Sequence, residues 1–270
     1  MSLEYLVLLA VAGAAGGFLA GLLGIGGGVI YIFIFTEYFN QVDWFPAVTN
    51  PIPFIIAQAV FVIAVASLAG SLKQYHQKNF YFKESLLMGL PAAIVSIVVG
   101  YILNDIHYNE TIFVSLFAAL ILSLLFRMLF FVNKKTEVQD FPKSGVTTTI
   151  GGFSGAIMAL TGLGGGVVIT PLLNGVWKVN IKKVGSVSLG VIFISSFSLT
   201  LYNLISTGEE FASNMVGYIH FPSVLPLALT VVFAAPLGVF ASKRMPSKVL
   251  RIIFISLCAV VLIRLLYRVV

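Results

Sequence analysis

"LLGIGGG" occupies Leu22–Gly28, and "LTGLGGG" occupies Leu160–Gly166, 138 residues further on. Both interrupt apolar stretches. Contiguous glycines break a helix, because glycine adopts left-handed backbone conformations without steric penalty and weakens a helix interior. Inside a bilayer, broken backbone is tolerated where protein buries it or where it lines a wet cavity. How the chain is read therefore turns on these two runs.

That their surroundings are bilayer follows from composition. The chain has 270 residues, 59% hydrophobic and 10% charged, whereas a soluble domain carries about 25% charged residues. Apolar runs recur at 3–23, 47–71, 84–104, 112–132, 145–163, 183–206, 221–241 and 248–267. Each holds roughly 20 residues, enough to cross about 30 Å of hydrocarbon as a helix. The expected class is an all-α polytopic membrane protein. The net charge of +6 does not point to nucleic acid. Lysine and arginine stand in short clusters beside the apolar runs, where orientation signals and contact with anionic lipid headgroups account for them. Cys258 is the single cysteine and lies in an apolar run, which reads as packing. The start, "MSLEYLVLLAVAGAAGG", has the small residues of a signal peptide but no basic n-region. Its glycines recur later, so it belongs to the fold.

The recurrence is a repeat. At the offset of 138, Gly13 falls on Gly151, Gly17 on Gly155, Leu22 on Leu160 and Gly24 on Gly162. Gly26, Gly27 and Gly28 fall on Gly164, Gly165 and Gly166, and Gly100 still falls on Gly238. Between these anchors the register slips, setting "AVTN" (47–50) against "KVGS" (183–186). A period of this kind organises the whole chain. Residues 1–132 form a first transmembrane repeat, 133–144 a polar cytoplasmic linker and 145–270 a second repeat.

Loop charge orients the halves. Basic 73–83, the linker with Lys134, Lys135 and Lys143, basic 177–183 and basic 242–248 are expected in the cytoplasm. Acidic 104–110 and 206–214 are expected outside. Corresponding loops carry opposite signs, so the halves are inverted, and inversion needs an odd number of crossings in each. Stretches 3–36 and 145–176 each leave and return at ends of one charge sign. They read as re-entrant hairpins tipped by glycine, each followed by three transmembrane helices. Eight independent spans are the alternative count.

Each tip ends one short helix and starts another, at Gly28 and at Gly166. The first amides of a helix have no intrahelical partner and carry a partial positive charge, so such termini receive anions. In transporters with inverted repeats they meet around the substrate near the midplane. A terminus contributes about 0.3–1 kcal/mol and a hydrogen bond to a charged group about 1.5–3 kcal/mol. That is too little to offset full dehydration of a doubly charged ion, so the site is expected to be wet and weak. Other glycine motifs fail: Val29 and Val167 occupy the third glycine position of a dinucleotide fingerprint, and no Gly-Lys-Ser/Thr follows for a P-loop. Gly13, Gly17, Gly151 and Gly155 read as helix-packing glycines.

All ten acidic residues lie in loops or at segment ends, which argues against a cation carrier or a buried proton relay. The candidate substrate-binding residues are Gly24, Gly26, Gly27, Gly28, Thr49, Asn50, Gln58, Thr161, Gly162, Gly164, Gly165, Gly166, Ser186 and Ser188. Asn50 followed by Pro51 also reads as a helix start. Arg127 and Arg264 read as interfacial, snorkelling side chains. His76, His107 and His220 lie in or beside loops, so neither a metal site nor a cofactor is expected. An enzyme reading rests on "GFSG" (152–155), which matches the G-x-S-G of rhomboid-type intramembrane serine proteases. It would need His220 at depth beside Ser154, and the expectation is that the protein is not an enzyme.

The two glycine hairpins, the "AVTN" and "KVGS" stretches and "LYNLISTG" (201–208) resemble the sulfite exporter family TauE/SafE, also called the toluene sulfonate uptake permease family. The resemblance implies a multi-pass transporter in the cell inner membrane that moves sulfite, sulfonates or related sulfur oxyanions by alternating access. Its expected partners are that small anion, membrane lipid and, where it self-associates, further copies of the chain. The sequence departs from the family pattern at Thr49 and Asn50, where Gly-Thr is usual, and at Lys183, where alanine is usual. An anion channel of the same architecture is the second reading.

Overall fold

The computed structural model describes residues 3–42, 45, 51–105, 110–130, 140–206 and 214–246, with 249, 252–253, 255–256 and 259 of the final stretch. Its elements are α1 (Leu3–Leu23), α2 (Gly28–Phe39), α3 (Pro51–His76), α4 (Phe82–Asp105), α5 (Glu110–Phe130), α6 (Ser144–Thr161) and α7 (Gly166–Pro171). A π-helical turn at Leu172–Val176 extends α7, and α8 (Ile181–Ile205) follows. A two-stranded hairpin, β1 (Met215–Val216) with β2 (Ile219–His220), precedes α9 (Phe221–Arg244). The protein is a mostly helical membrane protein. Five helices, α1, α3, α4, α8 and α9, are long and apolar enough to cross a bilayer.

Local chemistry sets the boundaries. α3 starts at Pro51, where the ring's fixed φ and missing N–H suit a first helical position. α6 stops at Thr161 because Gly162 takes φ 65°, a left-handed C-terminal cap. α8 starts where the Lys182 N–H donates to Asn180 Oδ1 at 2.9 Å. The expected run at 112–132 becomes α5, and the run at 248–267 falls mostly outside the described residues.

Central α3 and α8 run antiparallel and are largely buried. Gly70 of α3 faces Leu189 of α8, and Ile63 lies level with Ile192. The outer helices exchange partners between the halves. α1 packs on α9: a methyl group on Gly13 would lie 2.7 Å from Leu227 Cα, and one on Gly17 would lie 3.0 Å from Val231 Cα. α6 packs on α4 in the same way, with Gly151 against Met88 and Gly155 against Ala92, both backbone to backbone. Lipid provides no hydrophobic drive between helices, so close approach over small residues is the main source of packing energy. Outward positions such as Leu8, Ile94 and Phe233 expose large apolar side chains, as a lipid-facing rim requires.

The two ends of the bundle differ in charge. At one end Lys73 and Arg244 lie over the Phe240 ring, at 5.9 and 4.2 Å. Lys183 lies over Tyr81 and 3.9 Å from Asp140, while Lys182 reaches the Lys243 carbonyl. The basic segments 73–83, 177–183 and 242–246 therefore share one end. The β1–β2 hairpin closes the other.

Filling these helix contacts is expected to destabilise the protein. Gly155→Val should cost about 1–3 kcal/mol, the usual range for overpacking, and lower the melting temperature in detergent. Gly145→Ala has nothing within 4 Å of its new methyl and should leave the melting temperature unchanged or slightly raised. Equal effects of the two changes would contradict the packing described.

Candidate functional site

Both glycine runs form tight, non-helical turns with matching backbone. Gly24 and Gly162 have φ of 69° and 65°, and Gly26 and Gly164 have 83° and 79°. The match then ends. Gly27 stays left-handed at 75°, whereas Gly165 is right-handed at −60°. Left-handed φ at Gly24, Gly26 and Gly27 and at Gly162 and Gly164 explains glycine there, since a Cβ would strain the backbone.

The two turns meet. Gly28 packs on the Leu163 carbonyl, and a methyl on Gly164 would lie 3.1 Å from Ile25 O. A methyl on Gly166 would lie 2.8 Å from Ile25 Cα. Gly26 and Gly164 face the same two methyl groups, Ile63 Cγ2 and Ile192 Cγ2. Ile63 and Ile192 each stand halfway along a helix of spanning length, α3 and α8. Every residue from Gly24 to Val29 and from Thr161 to Val168 is buried.

The arms on either side of each tip return toward one end. In the first hairpin, Tyr5 near the start of α1 donates to Gln41 Oε1 just beyond α2, at 3.0 Å. In the second, Phe141 before α6 and Trp177 after the π-helical turn pack against one apolar cluster with Tyr81. The first pair lies with the β-hairpin end and the second with the basic end.

Bare amides are present at both turns. Ile30 and Tyr31 N–H both donate to Gly27 O, at 3.0 and 3.2 Å. The N–H groups of Gly28 and Val29 have no partner among the described residues. Val168 and Ile169 N–H donate to Gly165 O, leaving those of Gly165 and Gly166 without one among the same residues.

The candidate side chains divide. Ser188 is buried, and its hydroxyl faces Gly166 without a hydrogen-bond partner. Thr161 Oγ1 donates to Ile157 O at 2.7 Å and accepts from Leu163 N–H at 3.3 Å, so it caps α6 beside the tip. Ser186 donates to Asn79 O, away from the tips. Gln58 is directed to the β-hairpin: its Nε2 donates to Tyr218 O at 2.6 Å, and its Oε1 accepts from His220 N–H at 3.1 Å. Thr49, Asn50, His107, Cys258 and Arg264 lie outside the described residues, as does the Arg127 side chain. The structure also brings to the tips residues that the sequence reading left out. Gly185 meets Gly24, Tyr31 fills the space over Gly16 and Gly27, and Ser154 lies on Gly165. Ser154 and His220, the pair required by the protease reading, have different neighbours: the His220 ring stacks edge-on to Phe39, 6.3 Å between centroids.

Against this geometry stand the comparisons with known proteins. The sequence pattern of the family described as sulfite exporter TauE/SafE matches residues 9–265. The chain belongs to the sulfite exporter TauE/SafE family. A probable membrane transporter protein of Methanocaldococcus jannaschii is 27% identical over 257 residues, 94% of this chain and 93% of that protein. One from Haemophilus influenzae is 26% identical over 254 residues, covering 92% of each chain. One from Bacillus subtilis is 23% identical over 269 residues, 92% of this chain and 94% of that protein. These names describe transporters rather than enzymes. No solved structure matches.

In this TauE/SafE chain Gln58 fastens the end hairpin to α3, and His220 next to it is buried in its neutral form. Burial lowers the His220 pKa to about 4, below the ordinary value of about 6.5. The unfolded chain therefore binds the proton first. The stability that His220 contributes is complete above about pH 6.5 and is lost as pH falls toward 4. Between pH 7 and 5 the wild-type melting temperature in detergent is expected to fall more than that of His220→Gln. Identical slopes would contradict this. Gln58→Leu should speed proteolysis around residues 214–220 while leaving the helical content intact, because it removes the two hydrogen bonds that tie the hairpin to α3.

Proposed function

We propose that the protein is a secondary transporter of the inner membrane that moves small sulfur oxyanions or organosulfonates by alternating access. The carrying observation is the meeting of two buried glycine turns, with bare amides, halfway along α3 and α8. Each turn is read as the tip of a re-entrant hairpin, one entering from each side. The return of each hairpin to a different end supports this. Two inverted repeats, 1–132 and 145–270, are supported by the exchange of partners, α1 on α9 and α6 on α4, and by antiparallel α3 and α8. The end carrying Lys73, Lys182, Lys183 and Arg244 is assigned to the cytoplasm by its charge.

The proposed binding residues are Gly24, Gly26, Gly27, Gly28, Gly162, Gly164, Gly165 and Gly166, with Ser188 beside them and Thr161 holding the second turn. An anionic cargo is supported by the placement of acidic groups. Glu4 and Glu84 sit in first helical turns, Glu37 in the last turn of α2 and Asp140 outside any helix. Sulfur chemistry rests on the family description. Sealing of both turns against each other suits a carrier caught closed, since an open pore would leave a continuous wet path. Access then requires the tips to part, and the wet cavity expected from the sequence belongs to that opened form.

Labelled sulfite and a small alkanesulfonate, presented to proteoliposomes, test the reading. Saturable uptake, with each anion competing against the other, is expected. Absence of flux for every sulfur anion tried would refute the substrate assignment. Unitary conductance steps in planar bilayers would refute the carrier mechanism.

A further inference from the structure

Buried serines in these helices usually donate to a carbonyl one turn back. Ser67 donates to Ile63 O at 2.7 Å, Ser195 to Val191 O at 2.9 Å and Ser196 to Ile192 O at 2.5 Å. This back-bond is the default for a hydroxyl that has nowhere else to go. Ser154 of α6 and Ser188 of α8 are each 0% exposed, yet their Oγ atoms have no hydrogen-bond partner. A hydroxyl buried without a partner is costly, and such a group needs a specific reason.

Their positions supply the reason. Ser154 Oγ lies on Gly165 and Ser188 Oγ on Gly166, so two helices bring free hydroxyls onto consecutive residues of one tip. The first tip has one buried hydroxyl without a partner, Tyr31 Oη, whose ring packs on Gly16 and Gly27, but no pair of serines. At the repeat offset the position matching Ser154 is Gly16, and the Tyr31 ring fills the space there. If Ile192 and Ile63, which face both tips alike, are taken as counterparts, the counterpart of Ser188 is Ala59, which carries no hydroxyl. Two-fold symmetry of the backbone is thus broken in polarity.

We infer that the transported anion is held asymmetrically, by donation from the Ser154 and Ser188 hydroxyls at the second tip. The inference rests on the transport reading above and names its specificity-determining residues. A sulfur oxyanion offers two or three acceptor oxygens on one small centre, and two neutral donors on adjacent residues of one tip can serve it. Neutral donors hold the anion less tightly than a buried cation would, which favours release.

The purified protein in detergent tests this by thermal stabilisation and by titration calorimetry, with sulfite and methanesulfonate as probes. Wild type, Ser154→Ala, Ser188→Ala and Ser85→Ala are compared. Ser85 is a buried hydroxyl without a partner that packs on Gly190, away from the tips. Ser154→Ala and Ser188→Ala should each weaken anion binding about 10-fold or more, the loss expected for one charged hydrogen bond. Their ligand-free melting temperatures should stay level or rise, because no bond is lost in the empty protein. Ser85→Ala should bind as wild type does. Unchanged affinity in both tip variants overturns the inference and leaves the transport reading standing. So does a fall in their ligand-free melting temperature with affinity intact, which marks the hydroxyls as structural. No stabilisation of wild type by either anion refutes the transport reading itself, and the inference with it.

Discussion

Backbone amides cannot be left facing lipid, and in this protein the two places where the helical ladder breaks are buried against each other. That single constraint explains the rest. Glycine is needed at Gly24, Gly26, Gly27, Gly162 and Gly164 because the turns are left-handed. At Gly28 and Gly166 the reason is different: the opposite turn lies where a side chain would be. Each turn is the other's shield from lipid. Neither hairpin could hold its tip at this depth alone, since its bare N–H groups would face hydrocarbon at a cost of several kcal/mol each.

Mutual shielding also dictates how the halves are joined. The tips can meet only if each hairpin leans on the opposite half, and the small residues along α1 and α6 provide that approach to α9 and α4. α3 and α8 then form the central pair, and their midpoint isoleucines close the space around both tips.

Much of this was legible in the chain. The offset of 138 paired Gly24 with Gly162 and Gly26 with Gly164, and these pairs share left-handed φ values. Charge in the short loops was informative because lysine cannot be buried cheaply, so Lys73, Lys183 and Lys243 had to share an end. What could not be read was which polar groups are already satisfied. Gln58 looked available beside the membrane interior, but the residues that consume its amide, Tyr218 and His220, are about 160 positions away. Ser154 was read only as the serine of a protease motif; at the offset of 138 its partner is Gly16, and the polarity of the tips differs there. Glycine itself was ambiguous between packing and binding, and at the tips it packs closely while leaving amides bare. The start of α3 at Pro51 was legible from the proline itself.

Hydrogen–deuterium exchange of the two tip peptides, spanning 24–29 and 162–167, with and without sulfite, addresses the central claim most directly. If the paired turns hold the anion through their own amides, both peptides exchange slowly in the empty protein and slow further together when sulfite is added. Rapid exchange of either tip in the empty protein, or protection by sulfite confined to other segments, would contradict the account.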